Sequence, residues 1–134
     1  MRAGQLTRLP TYGGEIMGNP VVHFEVLGKD GEQLQAFYAG LFDWKINADN
    51  PMKYGLTDTD ANDAGINGGI GGNEDGSSSL TFYIEVDDLE SKLAEVEAAG
   101  GKVTAPVTEI PGMVTFAQFQ DPSGNIVGLV KSEP

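Results

Sequence analysis

The sequence predicts an α+β domain in which two tandem βαβββ modules form one curved sheet bearing a cleft. Three observations carry this reading. The alternating, β-branched stretch "VVHFEVLG" (Val21 to Gly28) has a counterpart in "LTFYIEVDD" (Leu80 to Asp88), with Thr81 standing 58 positions on from His23. Each stretch is followed by a segment of helical periodicity, "DGEQLQAFYAGLFDW" and "DLESKLAEVEAAGG". Three further strand candidates then follow in both halves. A four-stranded sheet with a helix on one face leaves its other face uncovered, so two such units build a cleft between their open faces.

Taken in order, residues 1–18 read as a leader rich in Gly, Pro and polar residues, and Met17 is an alternative start. They lack the apolar core of a signal peptide. A single domain spans 19–132, with module one at 19–73 and module two at 79–132. In the first strand, alternation sends Phe24 and Val26 to one face and His23 and Glu25 to the other. Asp30 is a candidate N-cap for a helix presenting Leu34, Phe37, Tyr38, Leu41 and Phe42. Trp44 to Asn47 and Met52 to Thr57 read as short strands. The glycine-rich "GINGGIGG" has no GK[ST] ending and no basic residue nearby, which excludes a phosphate loop.

In module two, Phe82, Ile84 and Val86 are expected against the second helix, with Thr81, Tyr83 and Glu85 facing the cleft. That helix turns Leu89, Leu93 and Val96 inward, starts at a cap formed by Asp87 or Asp88, and ends with Gly100 as C-cap. "KVTAPVTEI" and "MVTFAQFQ" are strands. "DPSG" (Asp121 to Gly124) fits a type I turn, with Pro122 presetting φ at the second position. The last strand, Ile126 to Val130, is apolar but broken by Gly128, a residue that marks close approach by something else.

Composition narrows the function. Eight Lys and Arg against 20 Asp and Glu give a net charge of −12. Such a surface repels phosphate backbones and anionic lipid, which argues against nucleic-acid and membrane partners. The acidity serves solubility or favours a cationic ligand. No run approaches a membrane span. The absence of cysteine removes disulfides and thiol chemistry, and a cytoplasmic location is the default. With one histidine and no cysteine, no Ser-His-Asp or Cys-His arrangement can be assembled.

The stretches "HFEV…AFYAGLFDWKI", "FYIEVDDLESKLAEVEAAGGKV" and "FQDPSGNIVGLV" resemble the vicinal oxygen chelate superfamily, which includes glyoxalase I, extradiol dioxygenases and the fosfomycin- and bleomycin-resistance proteins. The resemblance covers Asn19 to Lys131. It implies four cleft positions, on the first and last strands of each module, that commonly hold His or Glu and grip a divalent ion. Carried over, those positions are His23, Thr81, Gly128 and a residue within Asn67 to Ile70. His23 alone is a good donor, and one imidazole with a hydroxyl does not hold a divalent ion. Glycine at 128 is expected to enlarge the cleft instead.

The expected ligand-binding set is His23, Glu25, Tyr54, Thr81, Tyr83, Glu85, Phe116, Gln118 and Gly128, with no catalytic residue assigned. Tyr54 and Tyr83 suit a half-polar cavity because a ring and a hydroxyl come together. Gln118 adds a neutral hydrogen-bonding group on the face of Phe116, and Asn67, Trp44 and Phe119 are further candidates. Glu25 and Glu85 are expected at corresponding places in the two halves, both facing the cleft, where their mutual repulsion would raise at least one pKa or attract a cation. For His23 the competing structural role is a hydrogen-bonded, partly buried imidazole.

The function expected is a metal-free or metal-poor small-molecule-binding protein that sequesters a cationic aromatic compound, as bleomycin-resistance proteins do, and has no cofactor. The alternatives are a glyoxalase- or dioxygenase-type metal enzyme (a lyase, an isomerase or a dioxygenase) drawing donors from Glu25, Glu85 and Gln118, or a non-catalytic accessory domain. The resemblance also implies a homodimer with clefts formed within or between subunits.

Overall fold

The computed structural model describes residues 11–12, 15–16, 18–59 and 63–132. Most of the expected leader, including Met17, lies outside these residues. Strands β1 (Thr11–Tyr12) and β2 (Glu15–Ile16) pair antiparallel ahead of the main sheet. The order is then β3 (Val21–Gly28), α1 (Gly31–Phe42), β4 (Lys45–Asn47), β5 (Gly55–Asp58) and β6 (Gly68–Gly72). It repeats as β7 (Ser79–Val86), α2 (Leu89–Ala98), β8 (Lys102–Ile110), β9 (Val114–Gln120) and β10 (Ile126–Lys131).

These eight strands form one sheet in the order β4-β5-β6-β3-β7-β10-β9-β8. The first strand of each repeat runs parallel to its last, β3 with β6 and β7 with β10. The repeats meet where β3 and β7 pair antiparallel, with Phe24 opposite Phe82, His23 opposite Tyr83 and Glu25 opposite Thr81. Both halves of the shared face therefore come from one chain. Phe24 and Phe82, 58 positions apart, are equivalent and directly opposed, so a local two-fold passes between them.

Residues directly opposite in a sheet share a face. Both helices lie on the face of Phe24 and Phe82. Leu34 of α1 reaches Gly28, and α2 seals a core of Leu89, Leu93, Val86, Ala117 and Leu129, with Ile84 packed against it. Each buried leucine there contributes about 1.5–3 kcal/mol. Local signals set the helix ends: Asp30 accepts from the backbone N–H of Gln33 at 3.1 Å, and Asp88 from that of Ser91 at 3.0 Å. The Asp121–Gly124 turn closes with the Gly124 N–H on the Asp121 carbonyl at 2.9 Å.

Several expectations need correction. The second strand candidate starts at Gly55, not Met52, because the Asn50 side chain clasps both the N–H and the carbonyl of Tyr54 into a turn. The cap of α2 is Ala99, and Gly100, at φ 100°, is the left-handed residue after it. Helix α1 buries none of its side chains fully: Phe37, Leu41 and Phe42 are 57%, 61% and 55% exposed. Phe82 is 44% exposed, whereas Ile84 is packed against the α2 core and Val86 lies buried in it.

Candidate functional site

On the opposite face, alternation along β3 points His23 and Glu25 away from the helices, and Tyr83 of β7 joins them by register. Tyr54 enters from the turn before β5. Its hydroxyl donates to Glu25 Oε2 at 2.9 Å. That commits the only phenolic proton, so the Tyr54 oxygen receives its second bond from His23 Nε2, 2.8 Å away, and His23 is the Nε2–H tautomer. From the other side, Gln118 Nε2 donates to the Tyr83 oxygen at 2.8 Å, and the Tyr83 hydroxyl turns toward Glu25 Oε1 at 3.4 Å. Donors thus converge from both flanks on one carboxylate. The rings stand close: His23 and Tyr83 centroids are 5.6 Å apart, His23 and Tyr54 6.2 Å, and Tyr83 and Phe116 6.3 Å.

Gly128 stands between Tyr83 on β7 and Gln118 on β9. A Cβ built there would fall on the near edge of the Tyr83 ring. Gly69 repeats this in the first half: it lies beside Glu25, the equivalent of Tyr83, and its Cβ would fall on the outer end of the Tyr54 ring. Gly128 therefore does not enlarge the cleft, as the sequence led us to expect; tyrosine rings floor the face at both glycines. Cavities of about 610 and 400 Å³ open elsewhere, beside Lys29 and Lys53 at the start of α1 and between α2 and β8.

Burial sets the electrostatics. It raises the Glu25 carboxyl above its ordinary value, with the Tyr54 and Tyr83 bonds offsetting part of that rise. It lowers His23 below 6.5. Tyr54 is pushed up by burial and by the charge of Glu25, and Tyr83 to about 12 for the same reasons. The resting arrangement is a carboxylate held by neutral phenols and a neutral imidazole.

Five of the nine expected residues thus share one hydrogen-bonded cluster, with Phe116 and Gly128 packed on Tyr83. Thr81 sits opposite Glu25, half-buried. Glu85 shares the face of Tyr83 but is not the counterpart of Glu25, whose equivalent is Tyr83; the largest cause of the raised Glu25 carboxyl is burial. Asn67 instead secures the backbone of Thr59 through its side-chain oxygen. Trp44 packs on Phe24 at 5.8 Å, and Phe119 packs on the α2 core, both on the helical face. Gly69 was legible only as one of four residues, because its place is fixed by the β3–β6 register.

A four-donor divalent site does not fit these residues. Both last-strand positions are glycines covered by rings, and His23 Nε2 is engaged with Tyr54. Among the described residues, no three His, Cys, Asp or Glu side chains come together to hold a metal ion. No helix among them is long and apolar enough to cross a membrane.

Comparison with known proteins agrees with the topology. The chain is 31% identical over 119 residues to a glyoxylase-like domain-containing protein of Didymella fabae, covering 84% of this chain and 89% of that protein. It is 40% identical over 52 residues to CFP32 of Mycobacterium bovis, which is 39% of this chain and only 20% of that protein's length. The Mn(II)-bound glyoxalase of Novosphingobium aromaticivorans superposes with a TM-score of 0.59 at 19% identity, over 83% of this chain and 38% of that one. The profile of the Glyoxalase/Bleomycin resistance protein/Dioxygenase superfamily matches residues 21–129, and the chain belongs to that superfamily.

Proposed function

We propose that this protein binds a cationic aromatic small molecule on the face carrying Glu25, without a resident metal. One observation carries the reading: a partly buried carboxylate, ringed by His23, Tyr54 and Tyr83, with both phenols turned toward it. A desolvated carboxylate gains from a cationic partner, and ring faces attract the same charge. Flat aromatic surface at Phe116 and the donors of Gln118 and Thr81 orient the rest of the ligand. The charge of −12 draws cations toward the protein from a distance. Cytoplasmic residence and pairing of two copies, each with its own cluster, belong to the same proposal.

The test is a titration with a planar cationic dye, proflavine, against an anionic thiol conjugate, S-hexylglutathione. Proflavine is expected to saturate at one per chain and, at ~100 times its dissociation constant, to add ~2.7 kcal/mol of stability. Glu25→Gln should weaken it at least tenfold. Tighter binding of the conjugate, or an unchanged variant, would overturn the reading. Elemental analysis of protein purified without chelator should give substoichiometric metal. Stoichiometric Zn, Ni, Mn or Fe would favour the metal-enzyme alternative, with Glu25, Glu85 and Gln118 recruited as donors. If no compound class shifts the melting temperature, the accessory-domain alternative gains.

A further inference from the structure

We infer that His23 selects among cations by accepting an N–H from the ligand on its Nδ1 lone pair. The site therefore takes protonated amidines, guanidines and amines in preference to quaternary ammonium ions. This rests on the proposed function and names its ligand class more narrowly. A count of protons around Glu25 carries the inference. The Tyr54 hydroxyl spends its proton on Glu25 Oε2 at 2.9 Å, and the Tyr83 hydroxyl turns its own toward Oε1. His23 then gives its Nε2 proton to the Tyr54 oxygen at 2.8 Å, and one Gln118 N–H goes to the Tyr83 oxygen at 2.8 Å. A neutral imidazole has a single N–H, so Nδ1 is left as a bare acceptor. Among the described residues, no buried side-chain nitrogen or oxygen lacks a hydrogen-bond partner. Nδ1 has no partner among them, so it lies open to the surface.

Acceptors therefore outnumber donors on this face. A carboxylate offers about four lone-pair sites, and Glu25 receives one short bond, the Tyr83 hydroxyl standing off at 3.4 Å. The protons left over are the second Gln118 N–H and the Thr81 hydroxyl, and each of those side chains brings an acceptor oxygen of its own. His23 and Glu25 lie two residues apart on β3 and so share one face. A cation carrying N–H groups satisfies both of them. A quaternary ammonium ion brings charge without a proton and leaves both acceptors unpaired beneath it. Charge and ring faces alone would favour the quaternary ion, the usual guest of aromatic cages, because it has no N–H bonds to water to give up. The two expectations have opposite signs.

Titration of the full chain at pH 8 with benzamidine against phenyltrimethylammonium, each one ring and one positive charge, tests this. Burial holds the His23 imidazole below 6.5, so it is neutral there. Benzamidine should bind at least tenfold more tightly, and His23→Phe should cut that ratio about fivefold, removing the acceptor but keeping a flat ring. Nitrogen NMR on the sole histidine should show Nδ1 unprotonated in the free chain. Its resonance should move upfield with benzamidine and stay in place with the quaternary ion. A quaternary ion bound as tightly as benzamidine, an Nδ1 that carries the proton, or an unchanged ratio in His23→Phe would each overturn the inference. Saturable proflavine binding would leave the proposed function standing in all three cases. If proflavine and both test cations fail to bind, the proposed function falls and this inference with it. Should His23→Phe not fold, the Nδ1 resonance of the parent chain decides.

Discussion

Gly128 and Tyr83 form a lock that a double-mutant cycle can measure. Gly128 is buried, and its φ lies outside the left-handed region, so an alanine there meets no backbone strain. Its methyl meets the near edge of the Tyr83 ring, including Cγ, and that end of a side chain cannot swing aside. Tyr83 is only 6% exposed and is tied to Gln118, so the ring has little room to move. Gly128→Ala should therefore destabilise by about 2 kcal/mol, an ordinary penalty for overpacking. Tyr83→Ala should cost about 3 kcal/mol through the cavity it leaves. In the double variant the new methyl enters the space the ring vacated. The sum of about 5 kcal/mol should then fall to about 3, a coupling of about 2 kcal/mol. Urea unfolding with an unchanged m-value reads each corner of the cycle. Single-variant effects that add to within ~0.5 kcal/mol would refute the interlock.

Three further outcomes follow from the same geometry. His23 is the sole histidine, so its imidazole proton resonance should titrate with a midpoint below 6.5; a midpoint at or above 6.5 would contradict its burial against Tyr54. The unfolded chain takes up a proton in that window that the native imidazole refuses, so His23 lowers stability as pH falls through it. Glu25 acts with the opposite slope: its native carboxyl holds a proton above the ordinary 4.5, so stability falls as pH rises from 4.5 toward the raised value. Denaturation across pH should show this component flattened in Glu25→Gln, and a variant with the parent's slope would count against the assignment. Asp88→Ala should remove about 1 kcal/mol by leaving the Ser91 N–H without its cap, and Asp88→Asn should restore most of it. Equal loss in both variants would argue for a charge effect rather than capping.

Much of this protein was legible in one dimension. Alternation in Val21–Gly28 and its echo 58 positions on gave the two repeats, the two faces and the clustering of His23, Glu25 and Tyr83, because side-chain direction in a strand follows parity alone. Asp30, Asp88 and the Asp121–Gly124 turn were legible for the same reason: each is a bond between near neighbours in the chain. What periodicity does not carry is the distance between elements. That α1 stands off enough to leave Phe37, Leu41 and Phe42 in solvent depends on how the helix seats on β6, and a helical wheel holds no information about that seating. The meaning of Gly69 and Gly128 was likewise decided by packing. Sequence shows that a side chain is missing there, but only the three-dimensional register shows a tyrosine ring from another strand or turn lying over each gap.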